Sequence, residues 1–551
     1  MPLVPAPATH TARLQLAARR PIALAVAIGL SAALAACGGG RHAGASVGRQ
    51  PGATRSSLSG PFRWLVPTLG QPPAIAVENG HPGTRAWRLP GPTADVGGVA
   101  YGAVAGYVAQ QAVSPGQVQR VYVDAPGAPS VRIRIFRMGW YGGTGGRLVL
   151  ISGRLAARTQ PSCTHRFQTG LTECRWHPTL SFTIPSALPS GVYIAQMSVR
   201  GGASDCLFVV RAATPQPLIA QLPTSTYEAY NAWGGDSLYP GGADRVGLTG
   251  STQGVEVSYD RPYGTITGAG EFFARDVAMV QFLERYGYPV SYTTSESVDS
   301  DPGQLAGHKA VIDFGHSEYW SARQASAFAG ARDAGTSLLF FSSDTFGWRV
   351  RYAAASTASS QAGSPDHVIV GYKEHAALDP SRSQPTGIFP ARGATLTGSS
   401  YLGCITTRVP GPGPPTYLYY PWRPAPGLQP SWLFAATGID AGTEIRGIVG
   451  YELDQRTALS PAGTELAGYG VARCMSVGAG EPGEPTPTAG DDLAETMLYK
   501  ARSGALVFST GTLGWELGLE PVPSASPDAP RAPDSRVVAM TRNLLAHVLA
   551  G

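Results

Sequence analysis

Four consecutive side chains that can do chemistry, His316-Ser317-Glu318-Tyr319, stand in the stretch Phe314-Gly315-His316-Ser317-Glu318-Tyr319-Trp320. The run before it, Ala310-Val311-Ile312-Asp313-Phe314, is mostly apolar and predicts a strand buried on both faces. A helix-like segment from Trp320 to Ala334 follows. Open α/β sheets bind ligands at the carboxyl ends of their strands, so this turn is a candidate site. Three readings compete. Gly315-His316-Ser317-Glu318-Tyr319 half matches the G-x-S-x-G nucleophile elbow, which would make Ser317 a nucleophile, but the closing Gly is absent. Glu318 could instead be a buried metal ligand or general base. In the plainest reading Glu318 offsets a helix dipole from its first turn and His316 is a satisfied core histidine. On this stretch alone the plainest reading is the strongest.

A second stretch runs from Ser225 to Tyr239 and contains Tyr227, Tyr230, Trp233 and Tyr239 among Gly234 and Gly235. It follows a first putative strand, Leu218 to Gln221. Aromatic residues often anchor packed loops, so this stretch does not declare a function by itself.

The elements that must hold these residues fall into two patterns. From about Val96 to Ala212, short alternating strands are separated by turns such as Pro115-Gly116, Pro126-Gly127 and Ser190-Gly191. Val131, Ile133 and Ile135 alternate with Arg132, Arg134 and Phe136 and predict a half-buried strand. This spacing predicts a β-sandwich over residues 96–214. After Thr214-Pro215-Gln216-Pro217 the pattern changes. Glu271 to Tyr286 has helical spacing, with Gly287 suited to a left-handed C-terminal position. Strands at Val290–Tyr292 and Ser337–Phe341, and later at Glu444–Tyr451 and Ala505–Ser509, alternate with helices. The reading is an α/β domain over residues 215–551 with a mostly parallel sheet, a Gly/Pro/Ser-rich excursion at 355–440, and a closing helix from Ser535 to Leu549.

The N-terminus reads as an address. Arg13, Arg19 and Arg20 precede an apolar run from Pro21 to Ala36, which is too short to span a bilayer. It ends Leu34-Ala35-Ala36-Cys37-Gly38, which resembles the bacterial lipobox. Residues 1–36 are therefore read as a lipoprotein signal peptide, Cys37 as the lipidated residue, and residues 37–95 as a flexible tether and lead-in. The expected location is the extracytoplasmic side of the cell membrane, with contact through the lipid only. A net charge of +5 over 551 residues, without basic runs beyond Arg19-Arg20, excludes a nucleic-acid signature. Only Lys309, Lys373 and Lys500 are lysines, a compositional bias toward Arg. Outside the cytoplasm disulfides are permitted. Cys163 and Cys174 flank a Gly170-Leu171 turn and are expected to pair; Cys404 and Cys474 could form a second bridge, leaving Cys206 as a buried thiol. No CxxC or His/Cys cluster indicates zinc.

Several motifs occur in order along the chain: Arg137-Met138-Gly139-Trp140-Tyr141-Gly142-Gly143-Thr144-Gly145-Gly146-Arg147; Ala229-Tyr230-Asn231 with Ser237-Leu238-Tyr239; Ser258-Tyr259-Asp260-Arg261-Pro262-Tyr263; Gly315 to Trp320; Asp344 to Trp348; Gly450-Tyr451-Glu452-Leu453-Asp454; and Gly511-Thr512-Leu513-Gly514-Trp515. In these pieces the chain resembles the family of the N,N-dimethylformamidase large (beta) subunit over about residues 96–550. The resemblance implies an Ig-like β-sandwich followed by a glutamine-amidotransferase-like α/β domain. It also implies a mononuclear iron (Fe3+) held by two tyrosines and a glutamate, which fall on Tyr230, Tyr239 and Glu318. His316 and Glu452 then take catalytic roles as proton carriers, and Asp344 lines the pocket. Two departures bear on the substrate: a short loop between the tyrosines, and Asp344 where the family pattern leads us to expect Asn. Tyrosinate and carboxylate are hard anionic donors, and a bound metal of this kind polarises an amide carbonyl and acidifies water.

The functional expectation is an exported, lipid-anchored, iron-dependent hydrolase of a small molecule with an amide or related C–N bond. The alternative is a non-catalytic envelope lipoprotein that binds a ligand or carbohydrate. Dimethylformamide itself is not the expected substrate. Metal content separates the two hypotheses, and a fluorophosphonate probe would expose a Ser317 nucleophile.

Overall fold

Alternation of apolar residues in the N-terminal half builds two β-sheets with a shared core. The computed structural model describes residues 60–89, 103–240, 248–250, 252–264, 268–409, 416–475, 489–520, 522 and 529–551. A larger sheet has the order Phe62–Trp64, Gly146–Ser152, Ser130–Met138, Gly191–Val199, Gly202–Val210 and Ala112–Val113, with Leu155–Ala156 paired beside it. A three-stranded sheet is formed by Pro178–Thr183, Val118–Asp124 and Ala105–Val108. Val121, Val123, Ile133, Ile135, Leu180 and Phe208 fill the core that both sheets share. Cys163 and Cys174 form a disulfide, and Cys206 is a buried free thiol.

The strand Ser130–Met138 departs from the expected half-buried pattern in its second half. Val131, Ile133 and Ile135 point into the shared core, but Phe136 and Met138 pack on the opposite face against Leu218, Phe282 and Leu283. The larger sheet is therefore covered on both sides, and the described residues belong to one compact unit. Arg137, fully buried in this strand, forms a two-pronged ion pair with Glu284 at 2.6 and 2.7 Å.

The C-terminal half is organised on a nine-stranded sheet. Val290–Thr294, Leu218–Leu222, Ala310–Phe314, Ser337–Phe341 and Leu506–Ser509 run parallel in that order. Gly490–Lys500, Glu465–Cys474, Tyr420–Pro424 and Ile445–Val449 continue it antiparallel. The expectation of a mostly parallel sheet is thus corrected: the parallel part stops at Leu506–Ser509. The long hairpin of Glu465–Cys474 with Gly490–Lys500 needs no crossover helix. A second disulfide joins Cys404 to Cys474, the last residue of one of these strands. The chain is β-rich, and no helix among the described residues is long and apolar enough to cross a membrane.

Two helices begin later than their periodicity predicts. Glu271 is followed by a short 3-10 turn at Phe272–Ala274 and by Arg275 in a non-helical conformation, so the helix spans only Val277–Arg285. Trp320 belongs to a short strand, Tyr319–Ser321, and the next helix spans Ala322–Asp333. Ser321 starts it with a capping box: its hydroxyl accepts from Gln324 N, and the Gln324 side chain accepts from Ser321 N. The closing helix runs from Ser535 to Ala550, and Gly287 takes the left-handed conformation expected of it.

Candidate metal centre

Three parallel strands deliver the site. Ala310–Phe314 is buried along its length and ends at Gly315, whose φ is +75°. A Cβ there would lie 2.2 Å from Asp276 Oδ1, so both conformation and space require glycine. The turn is held from several directions. Gly315 N donates to Glu516 Oε1 (2.7 Å), and Ser342 Oγ donates to Gly315 O (2.7 Å). Glu318 N and Tyr319 N both donate to Thr226 Oγ1, at 3.1 and 3.3 Å. Glu318 therefore does not stand in the first turn of a helix, and the dipole-offsetting reading of it fails. Ser317 Oγ donates to Asp313 Oδ1 (3.0 Å), not to an imidazole, which removes the geometry of a nucleophile–base pair.

The neighbouring strand Leu218–Leu222 leads into a short helix, Thr224–Ala229, with Tyr230 at its C-terminal cap. The loop carrying Tyr239 is fastened by Arg261, which is buried and paired with buried Glu228 at 2.9 Å. The same guanidinium donates to the carbonyls of Asn231 (2.7 Å), Trp233 (3.0 Å) and Asp236 (3.1 Å). On the other side, Ser337–Phe341 leads to Asp344, in the left-handed region at φ +51°. Its N–H donates to Asp454 Oδ1 (2.7 Å), and Ser343 Oγ donates to Glu452 O (2.7 Å).

These elements bring six sequence-predicted residues together. Tyr230 Oη donates to Glu318 Oε2 (2.8 Å) and Tyr239 Oη to Glu318 Oε1 (2.7 Å). The two phenol oxygens are 2.8 Å apart, and the rings stack with centroids 4.4 Å apart. His316 Nε2 lies 3.0 Å from Glu452 Oε2 and 3.4 Å from Glu318 Oε2. The first contact is an ion pair without the alignment of a hydrogen bond. One ligand atom each of His316, Asp344 and Glu452 lies within 4.8 Å of the others. Cys404, Cys474 and Asp492 also cluster, but the two sulfurs are bonded to each other and cannot bind a metal as thiolates.

The structure adds residues that the sequence did not single out for this site. Glu271 Oε2 is 3.5 Å and Tyr451 Oη 3.2 Å from His316 Nδ1. Arg275 pairs with Glu271 at 3.3 Å and sits over the Tyr451 ring. The Lys373 ammonium lies 3.2 Å from the Tyr239 ring centroid and 4.8 Å from that of Trp348. One signal was available: Lys373 is a rare lysine in an Arg-biased chain. Nothing local in sequence ties Glu271 or Tyr451 to His316.

Burial dominates the electrostatics. It pushes the phenols of Tyr230 and Tyr239 well above the usual 10, and the Glu318 charge adds to this. Burial also raises the Glu318 carboxyl, opposed by His316 and Lys373. For His316, burial favours the neutral ring, but Glu452 and Glu271 outweigh it and hold the ring well above 6.5. The centre thus concentrates acidic oxygens that require a cation in their midst, whether protons or a metal ion. Tyr230, Tyr239 and Glu318 converge on one buried point with three oxygen donors, which fits a hard metal ion. Cys37 lies outside the described residues.

A sequence model of the family described as N,N-dimethylformamidase beta subunit-like, C-terminal, matches residues 132–529. No curated protein matches the chain.

Proposed function

The chain belongs to the N,N-dimethylformamidase beta subunit-like family, and on that premise we propose that it is an iron-dependent hydrolase of an amide or related C–N bond. The observation that carries this reading is the convergence of the Tyr230, Tyr239 and Glu318 oxygens, 2.7–2.8 Å apart, at the carboxyl ends of parallel strands. These three residues would hold a single ferric ion. Bound there, the ion supplies Lewis acidity toward a carbonyl oxygen and toward water.

The chain's own residues do the rest. His316 faces Glu318 on one side of the centre and is braced on its other nitrogen by Glu271 and Tyr451. Held in this way as an imidazolium, His316 gives its Nε2 proton to the leaving nitrogen, and the proton of the attacking water restores it by way of Glu452. Glu452 stabilises the imidazolium at 3.0 Å. Asp344 lines the same space. Burial of the whole centre excludes bulk water and strengthens each of these interactions.

The resemblance also carries the finer fold reading, an Ig-like sandwich ahead of a glutamine-amidotransferase-like α/β domain. The lipobox-like sequence at Cys37 supports a mature protein acylated at that residue and held on the extracytoplasmic face of the membrane.

The test is amine release from a panel of primary, secondary and tertiary small amides by the iron-loaded protein. Turnover of at least one amide, abolished in Glu318→Gln, is expected. Iron bound at the three residues without turnover of any amide would favour the non-catalytic envelope lipoprotein.

A further inference from the structure

A separate cleft of about 240 Å³ opens between the edge of the larger N-terminal sheet, the short helix Ser295–Ser300 and the segment 364–367. None of the residues proposed to hold or serve the metal lines it. Its wall is polar and apolar by turns, with Ala112 and Pro365 the only apolar residue types among those that line it.

A buried side chain brings an unsatisfied atom to this cleft: Gln111, 6% exposed, has an Oε1 with no hydrogen-bond partner, while the Tyr259 phenol, 2% exposed, meets that of Tyr352. Arg211 Nε, like Gln111 Oε1, is unpartnered. A buried polar atom left without a partner costs roughly 1–3 kcal/mol, so these atoms call for an occupant. The volume would hold roughly eight waters, or one small ligand in their place. His367 joins the wall with Nδ1 already engaged by Asp260 Oδ1 at 3.0 Å, which leaves Nε2 to meet a ligand.

The chemistry of the wall selects the ligand class. Arg211 stands among Glu296 and Asp366, so charges of both signs face the cleft. An isolated ion would meet charges of both signs, and an apolar molecule would leave the polar groups of the wall unpaired. Amides and hydroxyls dominate, and each can both donate and accept. Sugar hydroxyls have the same dual character. We propose that this cleft binds one monosaccharide unit, free or at the end of a glycan. The site is independent of the metal centre, although the Tyr259 ring packs in the aromatic cluster that also contains Tyr230, Tyr239 and Tyr319.

The test is saturation-transfer NMR and calorimetry on the full chain with D-glucose, D-galactose and N-acetylglucosamine, with glycine as a zwitterionic control. At least one sugar should bind saturably, with or without iron and equally in Glu318→Gln. Gln111→Leu and Arg211→Met should each weaken that binding about tenfold, the loss of one hydrogen bond, and Gln111→Leu, which removes an unpaired buried atom, should not lower the thermal midpoint of the sugar-free protein. Methyl glycosides separate the sources: equal binding means a glycan end, and loss of binding means a free sugar. Failure of all three sugars to saturate, affinity unchanged in both variants, or glycine binding in their place would overturn the proposal.

Discussion

At the scale of single residues, the centre depends on oxygens whose removal barely alters packing. Tyr239→Phe keeps the ring stacked on Tyr230 and under the Lys373 ammonium but deletes the oxygen that meets Glu318. Metal affinity should fall clearly while stability changes by only about 1 kcal/mol, as judged by metal titration beside thermal unfolding. A purely structural tyrosine would show the stability change alone. Glu318, Tyr230, Tyr239, Asp344 and Glu452 were named through the family resemblance of the motifs that carry them; their local patterns alone favoured a structural role. Glu271, Tyr451 and Arg275 were not named for the site, because their relation to His316 exists only after distant segments meet at one sheet edge. One of the three readings of Glu318 put it in a helix's first turn, since the three-residue strand Tyr319–Ser321 is too short to show a period.

At the scale of elements, the segment around Lys373 is tied to the strand Trp348–Ala353 by Arg351 and Asp379, 2.6 Å apart. Burial alone would raise the Asp379 carboxyl. The Arg351 contact, with donors from Ser381 N and Thr386, outweighs it and brings the carboxyl from 3.8 down to about 2. A folded pKa below the unfolded one stabilises the fold above the unfolded value and ceases to do so as pH falls through the folded value. Asp379→Asn should therefore lower the thermal midpoint at neutral pH, and the difference from wild type should shrink as pH falls below about 4 and be lost as it passes below about 2. A difference undiminished at pH 2 would contradict the assignment. Parallel strands and long helices were readable from their periods. Of the antiparallel strands from Tyr420 to Lys500, Ile445–Val449 was read and the others were not, because glycine and proline dilute the alternation there and pairing partners are set by tertiary contacts.

At the scale of the whole molecule, the apolar core crosses the change of sheet near Thr214–Pro217, and the buried Arg137–Glu284 pair joins the two parts. Arg137→Met leaves Glu284 buried without its partner and should cost about 3–5 kcal/mol in denaturant unfolding. A loss below about 1 kcal/mol would mean that water or another donor replaces the guanidinium. At the N-terminus, Cys37→Ala should release the protein from the membrane fraction into the medium; unchanged membrane association would refute the lipid anchor. The central claim is the metal held by Tyr230, Tyr239 and Glu318. The most direct measurement is the metal content and visible spectrum of the purified protein after anaerobic Fe(II) loading and air oxidation. The account predicts one iron per chain and a phenolate-to-iron charge-transfer band that colours the protein. A colourless protein that takes up no iron would contradict it.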